Sequence, residues 1–229
     1  MLEAIEFDKA LIERYNQSGP RYTSYPTAAS FTDQFTAEDY RQAAARSNED
    51  FIPTPLSLYF HIPFCDTVCF YCGCNKIATK NYNMATDYLK LLSKEIAMQS
   101  ELFDSDRSVE QLHWGGGTPT FLKPPEMRAL MSETRRYFNF SEAPSRDFSI
   151  EIDPRSISPE DIFFLSDIGF NRYSLGVQDV DIDVQKAVNR IQPEEETRAV
   201  LTACREAGCR SVNVDLIYGL PLQTTRGFE

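Results

Sequence analysis

The chain lacks any apolar run of about eighteen residues or more, so its sequence contains no candidate membrane-spanning helix. Its opening stretch, MLEAIEFDKALIERYNQ, has none of the basic, apolar and small-residue regions of a secretory leader, which predicts a cytoplasmic protein. Positive charge is also scarce: 23 Lys and Arg against 34 Asp and Glu leave a net charge of −11. A surface of that sign excludes nucleic acid and anionic membranes as the main partner. It still allows a small anionic ligand held by a few local Arg or Lys side chains. Two Cys-x2-Cys pairs on separate hairpins, the usual frame of a structural zinc site, are missing as well. So are residue-level repeats and low-complexity tracts.

What is present is ordinary globular composition, 42% hydrophobic and 25% charged over 229 residues, enough to bury a sizeable core. Of the 6 cysteines, four fall between residues 65 and 74. In a cytoplasmic protein such clustering points to a metal rather than to disulfides. Cys204 and Cys209 stand apart and are expected to be core or helix-end residues.

Residues 1–50 read as an N-terminal arm. It comprises an acidic helix from Phe7 to Tyr15, the irregular NQSGPRYTSYPTA stretch with Gly19, Pro20 and Pro26, and a helix from a Thr36 cap to about Arg46. Residues 51–229 alternate strand and helix at about thirty residues per unit. LSLYFHI, VEQLHW, FSIEID, NRYSLGVQ and SVNVDLIYGL read as strands. Helices are expected from Met84 to Phe103, Pro124 to Phe138, Pro159 to Gly169, Asp181 to Val188 and Pro193 to Ala207. This rhythm implies parallel strands with right-handed crossovers, in a doubly wound sheet or in part of a barrel. The sequence stops at Gly227-Phe228-Glu229, soon after a strand that a barrel would leave unpaired, so a fragment of a longer protein is expected.

The densest chemistry lies in YFHIPFCDTVCFYCGCNK, where Cys65-x3-Cys69-x2-Cys72 follows the first strand. Three thiolates from one loop can hold three irons of a 4Fe–4S cube and leave the fourth iron open to a substrate or cofactor. Phe64, Val68 and Phe70 would shield it. Cys74 is a possible fourth ligand, and zinc held by Cys65, Cys69, Cys72 and Cys74 is the alternative. The single residue between Cys72 and Cys74 makes it awkward to seat both on separate corners of one cube.

Polar groups recur after the later strands. Gly115-Gly116-Gly117-Thr118-Pro119-Thr120 reads as a tight turn or as a run that lets a ligand approach the backbone. Glu151 ends the third strand, Gln178 and Arg190 follow the fourth, and Asp215 lies within the fifth, where α/β proteins gather their sites. Asp215 is expected to be buried and therefore to need a partner, since NVDLIYGLP is otherwise apolar. His61 and His113, the only histidines, lead into these loops. His61 either bonds near the cysteine loop or is a satisfied core residue.

The cysteine spacing in this setting resembles the radical S-adenosylmethionine (SAM) superfamily. GPRYTSYPTA, YFHIPFC…CFYCGCNK, HWGGGTPT, SIEIDP, GFNRYSLGVQD…VNR and NVDLIYGLP, in this order, further resemble the oxygen-independent coproporphyrinogen III oxidases. The resemblance implies an α/β fold, a partial (β/α)6-type radical SAM barrel with about five parallel strands and the N-terminal arm over its opening. It implies a 4Fe–4S cluster on Cys65, Cys69 and Cys72, and two SAM molecules. Tyr59, Tyr71, Gly116 and Glu151 would contact the SAM on the cluster, and Gly117, Thr118, Gln178, Arg190 and Asp215 would line the second. Cys74 would belong to the family pattern without ligating iron.

In that family a SAM-derived 5′-deoxyadenosyl radical converts two propionates of coproporphyrinogen III to vinyl groups, giving protoporphyrinogen IX for haem biosynthesis. Arg21, beside Tyr22 and Tyr25, is the candidate for binding a substrate carboxylate. A reductant protein such as flavodoxin or ferredoxin is implied, and a monomer is expected. Full members are about twice as long, so the isolated chain is expected to be inactive. The runner-up is a haem chaperone of the same superfamily, a delivery protein. Such relatives generally lack the GPRYTSYPT arm and the CGCNK tail, and both are present here.

Overall fold

The computed structural model describes residues 8–17 and 26–228. The chain divides into two units, Met1–Ala43 and Ala44–Glu229. In the first, helix α1 (Lys9–Tyr15) starts where the Asp8 carboxylate accepts the Leu11 amide at 3.0 Å. A single 3-10 turn follows at Ala28–Ser30. Helix α2 (Ala37–Asn48) begins at the expected cap. The Thr36 hydroxyl accepts the Asp39 amide at 3.2 Å, and the Asp39 carboxylate accepts the Thr36 amide at 2.8 Å.

The second unit continues with β1 (Leu56–Ile62), β2 (Phe64–Cys65), β3 (Ile77–Ala78), α3 (Asn83–Ser100), β4 (Ser108–Gly116) and α4 (Pro124–Tyr137). Then come β5 (Asn139–Phe140), β6 (Asp147–Ile152), α5 (Pro159–Ile168), β7 (Arg172–Gln178), α6 (Ile182–Ala187), α7 (Glu194–Glu206), β8 (Ser211–Leu216) and α8 (Thr225–Phe228). The main sheet runs β1-β4-β6-β7-β8, parallel throughout, with β5 paired to β4; β2 and β3 form a separate parallel pair. The strands β2, β3 and β5 span two residues each, too short for any periodic pattern.

Helix ends follow their chemistry. α5 starts with a capping box between Ser158 and Asp161 and Pro159 in its first turn, and it stops at Gly169, whose φ of 118° is left-handed.

The two faces of the sheet differ in kind. Phe148, Ile150 and Ile152 of β6 and Tyr173, Leu175 and Val177 of β7 are buried at alternate positions. They join Leu112 and Trp114 of β4 in a core completed by Ile96 of α3, Met131 of α4, Leu165 of α5 and Val200 of α7. Those helices pack side by side on this face. The intervening residues, His113, Ser149, Glu151, Ser174 and Asn213 among them, are polar and only partly buried or exposed. Strands in chain order with helices on one face make a barrel wall, not a doubly wound layer.

One expectation fails at β8. None of its residues is buried, Val214 and Leu216 are 42% and 52% exposed, and Asp215 is exposed too. β8 forms one edge of the described sheet, so an apolar pattern there does not mean burial. Among the described residues no helix is long and apolar enough to cross a membrane.

Candidate functional site

The cysteine loop is fixed at its base and at its middle. At the base, Ile77 donates its amide to the Pro63 carbonyl at 2.7 Å and Thr79 to the Cys65 carbonyl at 2.9 Å, so residues 66–76 leave and return at one place. At the middle, the Phe70 amide donates to the Val188 carbonyl at 3.0 Å, and Asn189 Nδ2 donates to the Val68 carbonyl at 2.8 Å. Asn189 does this from a left-handed conformation, φ 54°, which asparagine tolerates better than most residues.

The glycine run closes over the same loop. The Gly117 amide donates to the Ile62 carbonyl and the Thr118 amide to the Phe64 carbonyl, both at 2.9 Å. A Cβ on Gly117 would stand 2.7 Å from the Pro63 carbonyl carbon. Gly116 has φ 118°, and a Cβ there would meet the His61 ring at 2.8 Å. Both positions need glycine, one for close approach and one for its backbone conformation as well.

A cavity of about 320 Å³ opens at the C-terminal ends of the strands. Cys65, Cys69, Cys72, Tyr71, Gly117, Thr118, Glu151, Gln178, Arg190 and Asp215 all line it, together with Asp153, Arg155 and Lys76. Of the residues singled out from sequence, Tyr59 and Gly116 lie beside the cavity instead of lining it, and Arg21 lies outside the described residues. Tyr59 stacks on His113 at 5.7 Å between ring centroids and hydrogen-bonds His61 Nδ1 at 2.9 Å. The Gly116 amide donates to Glu151 Oε2 at 3.1 Å. Asp215, exposed rather than buried, accepts from Ser174 Oγ at 2.9 Å and from Asn213 Nδ2 at 2.7 Å.

Glu151 is a half-buried carboxylate with donors around it. His113 Nε2 lies 3.4 Å from Oε1, while His113 Nδ1 lies 2.7 Å from Ser149 Oγ. Burial pushes the Glu151 carboxyl up, but the bonds from His113 and the Gly116 amide outweigh it and hold the group below its ordinary value. His61 does bond near the cysteine loop, with Nε2 donating to the Asn75 carbonyl at 2.8 Å.

The three thiols sit in different surroundings. Cys65 Sγ lies 3.4 Å from the Thr118 hydroxyl, and burial pushes its pKa up. Cys72 is pushed up by burial, yet hydrogen bonds from Cys74 and attraction to Lys76 leave it below the ordinary thiol value. Cys69 is buried against two guanidiniums, Arg190 Nη1 at 3.6 Å and Arg155 Nη2 at 3.7 Å. Cys74 is exposed beside Cys72 and does not line the cavity. Cys204 is fully buried in the core, where burial and the neighbouring Cys209 push its thiol up to about 12.

Sequence pattern does not single out Asp153 and Arg155 as site residues. The Asp-Pro pair that follows β6 is a helix-start signal, and Asp153 does cap a 3-10 turn at Pro154–Ser156. Nothing local says that the turn faces Cys69.

Among the described residues no three His, Cys, Asp or Glu side chains are grouped closely enough to hold a single metal ion. Cys65, Cys69 and Cys72 line one cavity, with cationic and hydroxyl donors at their sulfurs, and three such thiolate donors suit an iron–sulfur cluster. The sequence profile of the Radical SAM superfamily matches residues 59–229. The chain belongs to the radical SAM superfamily. Its members work with a 4Fe–4S cluster and SAM.

Within that superfamily the chain is 50% identical over 228 residues to the oxygen-independent coproporphyrinogen III oxidase of Pseudomonas aeruginosa, covering 100% of this chain and 49% of the relative. The enzyme of that name from Escherichia coli is 49% identical over 99% of this chain and 48% of its own length. A solved structure of coproporphyrinogen III oxidase from Escherichia coli, described as a radical SAM enzyme, superposes with a TM-score of 0.87 at 47% identity, covering 98% of this chain and 48% of that one. The chain thus spans about half the length of the curated relatives it matches.

Proposed function

We propose that the protein to which this chain belongs is a cytoplasmic, monomeric enzyme of haem biosynthesis. It would convert two propionates of coproporphyrinogen III to vinyl groups without oxygen, yielding protoporphyrinogen IX. One observation carries this reading: a single cavity joins the three thiols to Glu151, Gln178, Arg190 and Asp215, in a chain half identical along its length to enzymes of that name. That identity favours the oxidase over the haem-delivery alternative. Residues 1–50 are assigned to the arm and 51–229 to the barrel.

A cluster held there together with SAM would supply radical hydrogen-atom abstraction at a propionate side chain. Cys65, Cys69 and Cys72 are assigned to the cluster, and Arg190 and Arg155 offset thiolate charge at Cys69. Glu151, kept ionised by His113 and the Gly116 amide, is suited to accept ribose hydroxyls of the SAM on the cluster. Gly116 therefore acts through Glu151, and Tyr59 and Tyr71 border the same position, their phenols kept neutral by burial. Gly117, Thr118, Gln178, Arg190 and Asp215 are assigned to a second SAM, with Arg190 and Asp215 suited to its carboxylate and amino groups. Arg21 is assigned to a substrate carboxylate, and flavodoxin or ferredoxin to electron delivery.

The test is anaerobic cluster reconstitution of the full-length protein, followed by an assay with coproporphyrinogen III. A brown protein with about four irons per chain that cleaves SAM and forms vinyl product is expected. Cleavage without vinyl product would favour haem delivery, and a colourless zinc-loaded protein would overturn the reading. Cys69→Ala should abolish SAM cleavage, and Arg21→Ala should weaken coproporphyrinogen binding about tenfold or more.

A further inference from the structure

β6 ends at Ile152, and the chain turns at once. Asp153 caps the turn Pro154–Ser156 by accepting the Arg155 amide at 3.1 Å, which lays the Arg155 side chain back over the capping carboxylate. Arg155 Nε and Nη2 donate to the two Asp153 oxygens at 2.9 and 2.6 Å, and Arg190 Nη1 donates to Oδ2 at 3.0 Å. Both guanidiniums also reach Cys69 Sγ. The three side chains are 12%, 23% and 8% exposed for Asp153, Arg155 and Arg190. One carboxylate and two guanidiniums therefore leave a net positive charge in a poorly solvated place beside Cys69, whereas Cys72 has the single ammonium of Lys76 near it. Cys65, by contrast, meets the neutral Thr118 hydroxyl.

We propose that Arg155, held by Asp153, is a positioning residue that sets the reduction potential of the cluster through Cys69. A cation and an N–H donor beside a thiolate ligand favour the reduced cluster, which carries one more negative charge, over the oxidised one. Arg190 is divided between this contact and the Gly176 carbonyl, which it holds at 2.6 Å. Among the described residues the Arg155 side chain hydrogen-bonds only Asp153 and Cys69. The proposal rests on cluster ligation by Cys65, Cys69 and Cys72, which the iron content of the unsubstituted protein tests separately.

The measurement is an EPR-monitored redox titration with dithionite on the reconstituted full-length holoprotein, without SAM or substrate. At the potential where half the parent cluster is reduced, Arg155→Met should lower the reduced-to-oxidised ratio about tenfold, a midpoint 59 mV lower for a one-electron couple, while Arg155→Lys stays within about threefold. Asp153→Asn removes a negative charge and should move the midpoint the other way. Opposite signs are what a merely structural role cannot produce. The proposal is overturned if Arg155→Met leaves the midpoint unchanged, or if both variants shift it in the same direction. Should Arg155→Met fail to take up iron, Asp153→Asn decides alone: an upward shift supports the proposal, and none or a downward one overturns it.

Discussion

His113 and Trp114 are neighbours in sequence and belong to two different surfaces. Trp114 points into the helix-covered face, fully buried between Phe60 and Phe170. His113 points to the bare face, stacked on Tyr59 and bonded to Ser149 and Glu151. The strand's two-residue period divides stability from chemistry. One set of alternate side chains holds the wall together, and the other presents hydrogen-bonding groups toward the cavity rim.

Substitutions on the two faces should separate accordingly. Trp114→Ala should cost about 3–5 kcal/mol of unfolding free energy in urea titrations, since it removes a large side chain from a packed core. His113→Ala should cost about 1 kcal/mol, the worth of modest hydrogen bonds; a loss as large as that of Trp114 would erase the distinction between faces. The effect of Glu151 should depend on pH. Its folded carboxyl titrates below the ordinary value of 4.5, so its stabilising contribution is complete above that pH and is lost as pH falls through the folded value. The stability gap between parent and Glu151→Gln should therefore narrow on acidification below 4.5, with His113, His61, Tyr59 and Cys74 as the neighbouring titratable groups. A gap that widens would contradict it. Smallest of all, Val214→Thr on the exposed edge strand should change stability by no more than about 0.5 kcal/mol in this chain.

Much of this division is legible in the sequence. FSIEID and RYSLGVQ alternate in a way that gives both the strand and its buried face, and Ser158-Pro159 and Gly169 mark the ends of α5. The cysteine trio is legible because its members lie within one loop. Other features depend on contacts between distant parts of the chain. Arg155 meets Cys69 across 86 residues, and no periodicity predicts that the turn after β6 faces the loop after β1. The apolar strand around Asp215 predicts its burial, but burial depends on what covers a strand, and the described chain leaves β8 at an edge. The paired strands Phe64–Cys65 and Ile77–Ala78 are too brief to leave a pattern at all. Arg21 and its flanking tyrosines fall outside the described residues.

The stitching of the cysteine loop has a thermodynamic consequence. Backbone bonds at Ile77, Thr79 and Phe70, and the Asn189 side chain, fix the course of the loop that carries the thiols along the cavity wall. Part of the conformational entropy of ordering this loop is then met when the chain folds, before an inorganic guest arrives. Affinity for that guest should accordingly respond to Asn189, a residue that never touches it, because loosening the far hinge returns freedom to the whole loop.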